Sequence, residues 1–289
     1  MQPTVYTRMQ WMKELGKKVT VFGFGSAHGP SYFCPKIDNH SPIASNNILK
    51  TFFFSLLLII PWILPLQAEE SISDQMLSPL TTNAKYLVYA GTLSTLTLLY
   101  FDDQTIDPAQ EKAKKKPLKQ YSKVGDYGGR VIPNAAYFLV MGTGYLFSGN
   151  NYYGARAGLM FKATLYSSIV TTALKYSIRE PRPNNPNERN SFPSGHAAMA
   201  FSFASAVGMA HPWYWGLPAY LFAGFVSYSR MNDNRHFLHD VVAGATIGTS
   251  YGIGLALKSK GRLRSSSYFM NILPTDDLQG MRLALVAEF

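Results

Sequence analysis

The chain of 289 residues contains one cysteine, Cys34, and few acidic residues. A single thiol excludes an internal disulfide framework and a cluster of thiolate metal ligands. With 17 Asp and Glu residues against 27 Lys and Arg, the formal net charge is +10, which suits a nucleic acid, an acidic lipid surface or a phosphorylated substrate. Zinc-finger spacing and the aromatic signature of RNA-binding modules are both missing, so we predict no nucleic-acid partner.

Apolar segments of full membrane-spanning length are also scarce, and the mean hydropathy is close to zero. Hydrophobic residues still make up 47% of the chain and aromatic residues 14%, which argues against a disordered protein. This length and composition predict one folded domain with a sizeable core and additional terminal segments.

The N-terminal part of the chain divides into two segments. Residues 1–48 mix Gly, Pro, Asn and Ser without a period, which predicts a leader. Residues 49–68 contain Lys50, an apolar run, prolines and a final Ala68, a pattern typical of a secretory signal peptide. Because signal peptides begin a chain, we hypothesise that residues 1–48 are not translated. The alternative interpretation of residues 49–68 is an uncleaved membrane anchor.

The remaining sequence predicts an all-α fold. Clusters of Gly, Pro and Asn separate six apolar segments of helical length, at residues 84–100, 131–147, 155–176, 196–210, 216–228 and 241–257. A polar, lysine-rich insert follows the first segment and predicts a solvated surface or a contact with acidic lipid. Apolar residues alternate near the C-terminus, so residues 265–289 predict a short β-hairpin.

Three short groups of polar residues interrupt the later helical segments. They combine cations, two histidines and a carboxylate, a set of groups that suits phosphate chemistry. The groups are Lys175 with Arg182–Pro183, Pro193–Ser194–Gly195–His196, and Ser229–Arg230 with His236 and Asp240.

His236 and Asp240 form the first candidate pair within these groups. They are four residues apart, so on a helix they share a face and the carboxylate can hold one ring nitrogen. The other nitrogen is then free to act as a nucleophile. By the same geometry His239 points elsewhere, and we predict a structural role for it and for His211.

The second group lies where a polar loop becomes an apolar helix. Ser194 is a candidate helix cap, and Gly195 allows a ligand to approach the backbone. Free N–H groups at a helix start bind anions, so His196 would stand beside a bound phosphate and protonate its leaving oxygen. Positive charge around that phosphate comes from Lys175, Arg182 and Arg230.

These three groups resemble the signature of the type 2 phosphatidic acid phosphatase (PAP2) superfamily, which also contains class A bacterial acid phosphatases and vanadium haloperoxidases. Every defining position is present at the family's spacing, and the segment 240–244 is also typical. The resemblance covers residues 84–258. One departure is Asn234–Arg235, where many members have a glycine beside the histidine, and it bears on substrate preference more than on mechanism.

The resemblance implies a six-helix PAP2-like bundle in a phosphatase domain at residues 69–264. It also implies a metal-independent hydrolysis of phosphate monoesters through a phosphohistidine, with no cofactor. By this resemblance His236 is the nucleophile, Asp240 its orienting partner and His196 the general acid. The implied phosphate-binding residues are Lys175, Arg182, Ser194, Gly195 and Arg230.

Phosphorylated lipids and small organic phosphates are the substrates that we expect. The alternatives are a vanadate-dependent haloperoxidase and an inactive envelope protein that binds an anionic lipid. Basic clusters at 112–123 and 258–264 favour opposite orientations by the positive-inside rule, which argues against six membrane spans. We predict a periplasmic or membrane-peripheral protein of the bacterial cell envelope, with an integral inner-membrane protein as the alternative. The sequence predicts no oligomeric state.

Overall fold

The computed structural model describes residues 71–115, 117–259, 263, 269–274 and 281–286. The predicted leader at 1–48 and the signal or anchor segment at 49–68 lie outside these residues. The division of the chain into domains therefore stays a prediction.

The described part of the chain is mostly helical, which confirms the predicted class. Its α-helices are α1 (Ile72–Met76), α2 (Ser78–Thr81), α3 (Lys85–Tyr100), α4 (Asp102–Lys115), α5 (Ser122–Gly128), α6 (Ile132–Ser148), α7 (Asn151–Ile178), α8 (Gly195–Ala210), α9 (Trp213–Asn232) and α10 (Leu238–Lys258). A 3₁₀ turn, Lys119–Tyr121, precedes α5. The six predicted segments correspond to α3 and α6 to α10. The lysine-rich insert forms α4 and α5 as well, so the six-helix grouping itself remains a prediction.

Local signals set the ends of the long helix α7. Gly149 has a φ of 63°, a left-handed conformation that glycine adopts without steric cost, and it ends α6. The Asn150 side chain then accepts a hydrogen bond of 2.9 Å from the Tyr152 N–H and caps the start of α7. At the other end, Arg179 is left-handed with a φ of 54° and terminates α7 directly after Ile178, four residues beyond Lys175. This turn directs the chain into the loop of the first polar group.

Helix α8 is the centre of the core and packs against α7, α9 and α10. Most of its residues are Gly, Ala or Ser, which allows the neighbouring backbones to approach closely. At Gly248 of α10, a Cβ atom would lie 2.2 Å from the Ala198 carbonyl oxygen and 2.7 Å from the Ser202 nitrogen. This close contact fixes the separation of α8 and α10, the helices that begin at the second and third polar groups.

Two strands follow the helical part, β1 (Phe269–Pro274) and β2 (Met281–Val286). They pair antiparallel, with Phe269 opposite Val286 and Pro274 opposite Met281. Residues 275–280, which would form the connecting turn, lie outside the described part, so the predicted hairpin stays a prediction.

Membrane-compatible helices are few among the described residues. Helix α10 is long and apolar enough to cross a membrane, and the pair Lys119–Gly128 with Ile132–Ser148 qualifies if its 48° bend is ignored. Of the apolar window of α10, 61% is buried inside the protein. By contrast, α3 leaves large apolar side chains exposed, including Leu93 at 67% and Tyr100 at 83%.

Candidate active site

The three polar groups meet at one end of the helical core. The loop after α7, the start of α8, the end of α9 and the start of α10 converge there, and α5 packs against α9 beside them. They enclose a cavity of about 390 Å³. The described residues that line it are Ser122, Lys123, Asp126, Arg130, Arg182, His196, Arg230, Asp233, Arg235 and His236. The structure thus brings both predicted catalytic histidines and two of the predicted cations to one cavity.

The pair of His236 and Asp240 forms by a different route from the predicted one. Helix α10 begins at Leu238, so His236 precedes the helix and the two residues do not share a helical face. His236 Nδ1 still lies 3.4 Å from Asp240 Oδ2, because the extended residue Phe237 turns the chain back over the first helical turn. The prediction of a shared helical face was wrong.

The Asp240 carboxylate is held in place by several donors. Its Oδ2 atom accepts hydrogen bonds of 2.5 Å from the Ser191 hydroxyl and 2.9 Å from the Phe237 N–H. The Ser194 N–H donates to the Asp240 carbonyl at 2.9 Å, which ties the start of α8 to the start of α10. Burial alone would raise the pKa of Asp240, but contacts with His236 and His239 hold it well below its usual range. The group that faces His236 is therefore a carboxylate.

His239 lies much closer to the site than its predicted direction allows. Its Nε2 atom is 3.0 Å from Asp240 Oδ1 and 3.0 Å from both carboxylate oxygens of Glu180. Its ring stacks on Phe237, with 5.5 Å between centroids. The expectation that His239 points away failed because helix geometry was applied from His236, which is not helical.

The two carboxylates of Asp240 and Glu180 determine the protonation state of the buried His239. Burial would lower the pKa of His239, but Asp240 and Glu180 raise it to about 9. Glu180, His239 and Asp240 are also close enough to share a metal ion, since their ligand atoms lie within 4.8 Å of one another. A nitrogen aimed at two carboxylates fits a proton better than a metal, because a metal would have to displace that proton. We therefore interpret the cluster as an imidazolium between two carboxylates.

His196 contacts a second carboxylate, Asp126. The distance from His196 Nε2 to Asp126 Oδ1 is 3.1 Å. The same oxygen accepts a 2.8 Å hydrogen bond from Arg230 Nη1, and Arg230 Nη2 donates at 2.8 Å to Asp233 Oδ2. Arg230 is only 4% exposed, so these carboxylates compensate a buried cation. Burial and the charge of Arg230 lower the pKa of His196 to about 4, while Asp126 opposes that shift.

The other predicted phosphate-binding residues occupy different positions. Arg182 lines the cavity, and its Nε donates to the Asn190 side chain at 2.6 Å. Lys175 Nζ donates to the carbonyl oxygens of Asn190 at 2.6 Å and Ser191 at 3.2 Å, and Lys175 is not among the described residues that line the cavity. Burial and the neighbouring Arg182 lower the pKa of Lys175 to about 8. Lys175 thus supports the loop that carries Arg182.

Ser194 and Gly195 stand at the start of α8 and are not lining residues of the cavity either. Ser194 is fully buried, and its hydroxyl accepts a hydrogen bond of 3.4 Å from the Ala197 N–H. The structure therefore has Ser194 as a helix cap, as its position in the sequence predicts. A Cβ at Gly195 would lie 3.9 Å from the nearest atoms of Lys175 and Thr171, which is ordinary contact.

Comparison with known proteins identifies the region that holds most of this site. Residues 156–263 match the family model of the PAP2 superfamily. This region of the chain is therefore similar to the PAP2 superfamily. The match confirms the resemblance noted in the sequence, and it includes all three polar groups.

Two known proteins are similar to parts of this chain. Over 87 residues the chain is 39% identical to Lipid A 1-phosphatase of Porphyromonas gingivalis, which covers 29% of this chain and 19% of that protein. The chain therefore matches about a fifth of the length of this relative. The crystal structure of Aquifex aeolicus LpxE aligns with a TM-score of 0.44 and 22% identity, over 53% of this chain and 94% of that chain.

Several lining residues lie outside the three polar groups, and sequence analysis did not assign them to the site. Asp126 and Arg130 precede the PAP2 match, and Arg130 Nη2 donates to Asp126 Oδ2 at 2.5 Å. Asp233 also contacts the Ser122 hydroxyl, which links α5 to the end of α9. No motif spacing could have marked these residues. A signal was available only for Arg235, whose position departs from the family's common glycine.

Proposed function

We propose that this protein is a phosphatase that hydrolyses the phosphate monoester of a phosphorylated lipid through a phosphohistidine on His236. The observation that carries the proposal is the shared cavity of His196, His236, Arg182 and Arg230. Two imidazoles at one anion-binding cavity supply a nucleophile and an acid, and the guanidinium groups stabilise the charge of the phosphoryl group.

In the first half of the proposed reaction, His236 Nε2 attacks phosphorus, because Nδ1 faces Asp240. The P–N bond forms as the P–O bond to the leaving group breaks, and the electron pair stays on the leaving oxygen. That oxygen takes a proton from His196, so the products are phosphohistidine and a neutral alcohol. The phosphoryl charge is held by Arg182 and Arg230 in this step.

In the second half, a water molecule gives a proton to His196 as its oxygen bonds to phosphorus. The P–N bond breaks, its electron pair returns to the His236 ring, and phosphate leaves. His196 is then protonated again for the next substrate. In this scheme Lys175, Ser194 and Gly195 position the phosphate loop and the start of α8, and no metal takes part.

Exposed apolar side chains beside the cavity support a lipid substrate. Helix α5 contributes Lys123 and Asp126 to the cavity lining, and its exposed residues include Val124 at 50% and Tyr127 at 57%. An acyl chain could pack on these side chains while its phosphate enters the cavity. The name of the Porphyromonas gingivalis relative, Lipid A 1-phosphatase, agrees with this substrate class. We place the protein at the bacterial envelope on the same grounds.

The test is phosphate release by the purified full chain from phosphatidic acid and lipid A in detergent micelles, compared with p-nitrophenyl phosphate. We expect a higher kcat/KM for the lipids, inhibition by vanadate and no effect of a chelator. Radiolabelled substrate should label the protein with acid-labile, base-stable phosphate that His236→Ala removes. Oxidation of bromide in the presence of vanadate would instead indicate a haloperoxidase. Lipid binding without turnover would indicate an inactive binding protein.

A further inference from the structure

Helix α5 supplies the site with an anion that the PAP2 match does not include. Asp126 lies on α5, before the matched residues 156–263, and its carboxylate lines the cavity. Only one other carboxylate, Asp233, is present among the described lining residues. A negative charge inside a pocket for phosphate weakens the binding of phosphate. Its presence there therefore suggests that it serves another step of the reaction.

On the basis of the proposed phosphatase function, we propose that Asp126 is the positioning residue of His196, as Asp240 is of His236. Asp126 Oδ1 lies 3.1 Å from His196 Nε2, within hydrogen-bond distance. With Nε2 held there, Nδ1 is the nitrogen that exchanges the proton with the leaving oxygen and later with water.

Two further contacts fix Asp126 in this position, and a third supports the His196 ring. Arg230 Nη1 donates to its Oδ1 at 2.8 Å, and Arg130 Nη2 donates to its Oδ2 at 2.5 Å. The His196 ring also rests on Gly129 at the end of α5, where a Cβ would lie 2.5 Å from the ring atom Cδ2. One short helix thus provides both the carboxylate for the ring nitrogen and the backbone surface under the ring.

The charges around His196 explain why an acid needs this partner. Arg230 on α9 and His236 before α10 both disfavour a proton on His196, and burial acts in the same direction. Among the described residues that shift the pKa of His196, Asp126 is the single anion. Without Asp126 the ring would lose its proton more easily and could rotate away from the leaving oxygen.

The experiment compares two leaving groups in the Asp126→Asn variant of the full chain. Dodecyl phosphate releases a basic alkoxide that needs a proton, whereas p-nitrophenyl phosphate releases a stable anion that does not. The parameter is kcat/KM, because it includes formation of the phosphoenzyme and excludes its later hydrolysis. We expect a loss of about a hundredfold for dodecyl phosphate and less than about threefold for p-nitrophenyl phosphate.

Asp233→Asn is the matched control. Asp233 also accepts a hydrogen bond from Arg230, at 2.8 Å, and no contact joins it to His196 among the described residues. Both variants remove a charged partner of Arg230. A loss of kcat/KM that differs between the two substrates must therefore act through His196. We expect Asp233→Asn to reduce kcat/KM by the same factor for both substrates. An equal loss for both substrates in Asp126→Asn would overturn the proposal.

Binding of inorganic phosphate, measured together with kcat, tests whether Asp126 positions His196 or only competes with the substrate for the cavity. If Asp126 only occupied the place of a phosphate oxygen, Asp126→Asn would bind inorganic phosphate more tightly without losing kcat, which would also overturn the proposal. In the His196→Ala background, Asp126→Asn should cause no further loss with dodecyl phosphate. The underlying phosphatase function fails separately, if His236→Ala retains the phosphate release of the unmodified chain.

Discussion

The two histidine–carboxylate pairs of the site differ in burial and in the elements that supply them. His236 and Asp240 are 2% and 0% exposed and come from one short segment of the chain. The side chains of His196 and Asp126 are 28% and 29% exposed, and the two residues are 70 positions apart. The first pair is built into the start of α10, whereas the second exists only because α5 packs beside α8.

This difference suits the two parts of the proposed reaction. A nucleophile must hold one orientation, and the donors Ser191 and Phe237 and the buried His239 fix the carboxylate behind it. An acid that becomes a base must exchange protons with a leaving group and then with water. Partial exposure of His196 and Asp126 at the cavity allows that exchange.

The largest expected effect is the loss of kcat on replacing the histidines, and it should differ between His236 and His196. His236→Ala removes the atom that would bond to phosphorus, so we expect kcat to fall by about ten-thousandfold or more. His196→Ala removes only proton transfer, and we expect a loss of about a hundredfold to a thousandfold with an alkyl phosphate. Steady-state kinetics on both variants, with thermal unfolding as a control for folding, tests the comparison. Equal losses with every substrate would contradict the division of roles.

The buried carboxylate should have the next largest effect. Asp240→Asn keeps the shape of the side chain and removes the charge behind His236, so we expect kcat to fall by about a thousandfold. Ser191→Ala leaves that charge in place and removes only one donor to Asp240 Oδ2, so its loss should be about tenfold. If Asp240→Asn were as active as Ser191→Ala, the carboxylate would not orient the nucleophile.

Sequence spacing predicted the parts of this site that lie close together in the chain. The three polar groups, the cap at Ser194 and the helical segments around them all follow from local signals. The contact between His236 and Asp240 was also predicted, although the helix assumed for it begins two residues later. For this pair, sequence spacing correctly predicted which two residues are in contact but not the backbone geometry that brings them together.

The remaining parts of the site depend on packing between distant helices. Asp126 lies on α5, which contacts α9, and Arg130 follows the end of α5. Nothing in the lysine-rich sequence around these two residues distinguishes them from solvated charges. Lys175 shows the opposite case. It belongs to the signature, yet its Nζ donates to loop carbonyl oxygens, whereas Arg182 lines the cavity. Tertiary contacts therefore decide which charges reach the cavity.

The buried cluster behind the first pair predicts a dependence of stability on pH. The pKa of His239 is about 9 in the folded protein against an ordinary value of 6.5, so folding favours its protonated form. The resulting stabilisation, about 3 kcal/mol, is complete below about pH 6.5 and is lost as the pH rises through about 9. His239→Gln removes it. The difference in free energy of unfolding between the two proteins should therefore be largest near pH 6.

Denaturant unfolding at several pH values between about 6 and 10 measures this effect. The pair of His196 and Asp126 is more exposed and serves as the contrast. Asp126→Asn should lower the free energy of unfolding by nearly the same amount at every pH in this interval, because it leaves the buried Arg230 less well compensated. A constant difference between the unmodified chain and His239→Gln at all pH values would show that His239 is neutral in the folded protein.

The smallest expected effect concerns the spacing between the helices that carry the two histidines. Gly248→Ala places a methyl group 2.2 Å from the Ala198 carbonyl oxygen, so α8 and α10 must separate, at a cost of about 2 kcal/mol. Gly224→Ala on α9 is the matched control, because no atom lies within 4 Å of its Cβ position. That change should stabilise the protein by about 0.5–1 kcal/mol through helix propensity alone.

Because both histidines stand next to the moved helix starts, Gly248→Ala should also lower kcat while Gly224→Ala does not. Equal stability of the two variants would show that close packing of α8 on α10 does not set the distance between the two pairs.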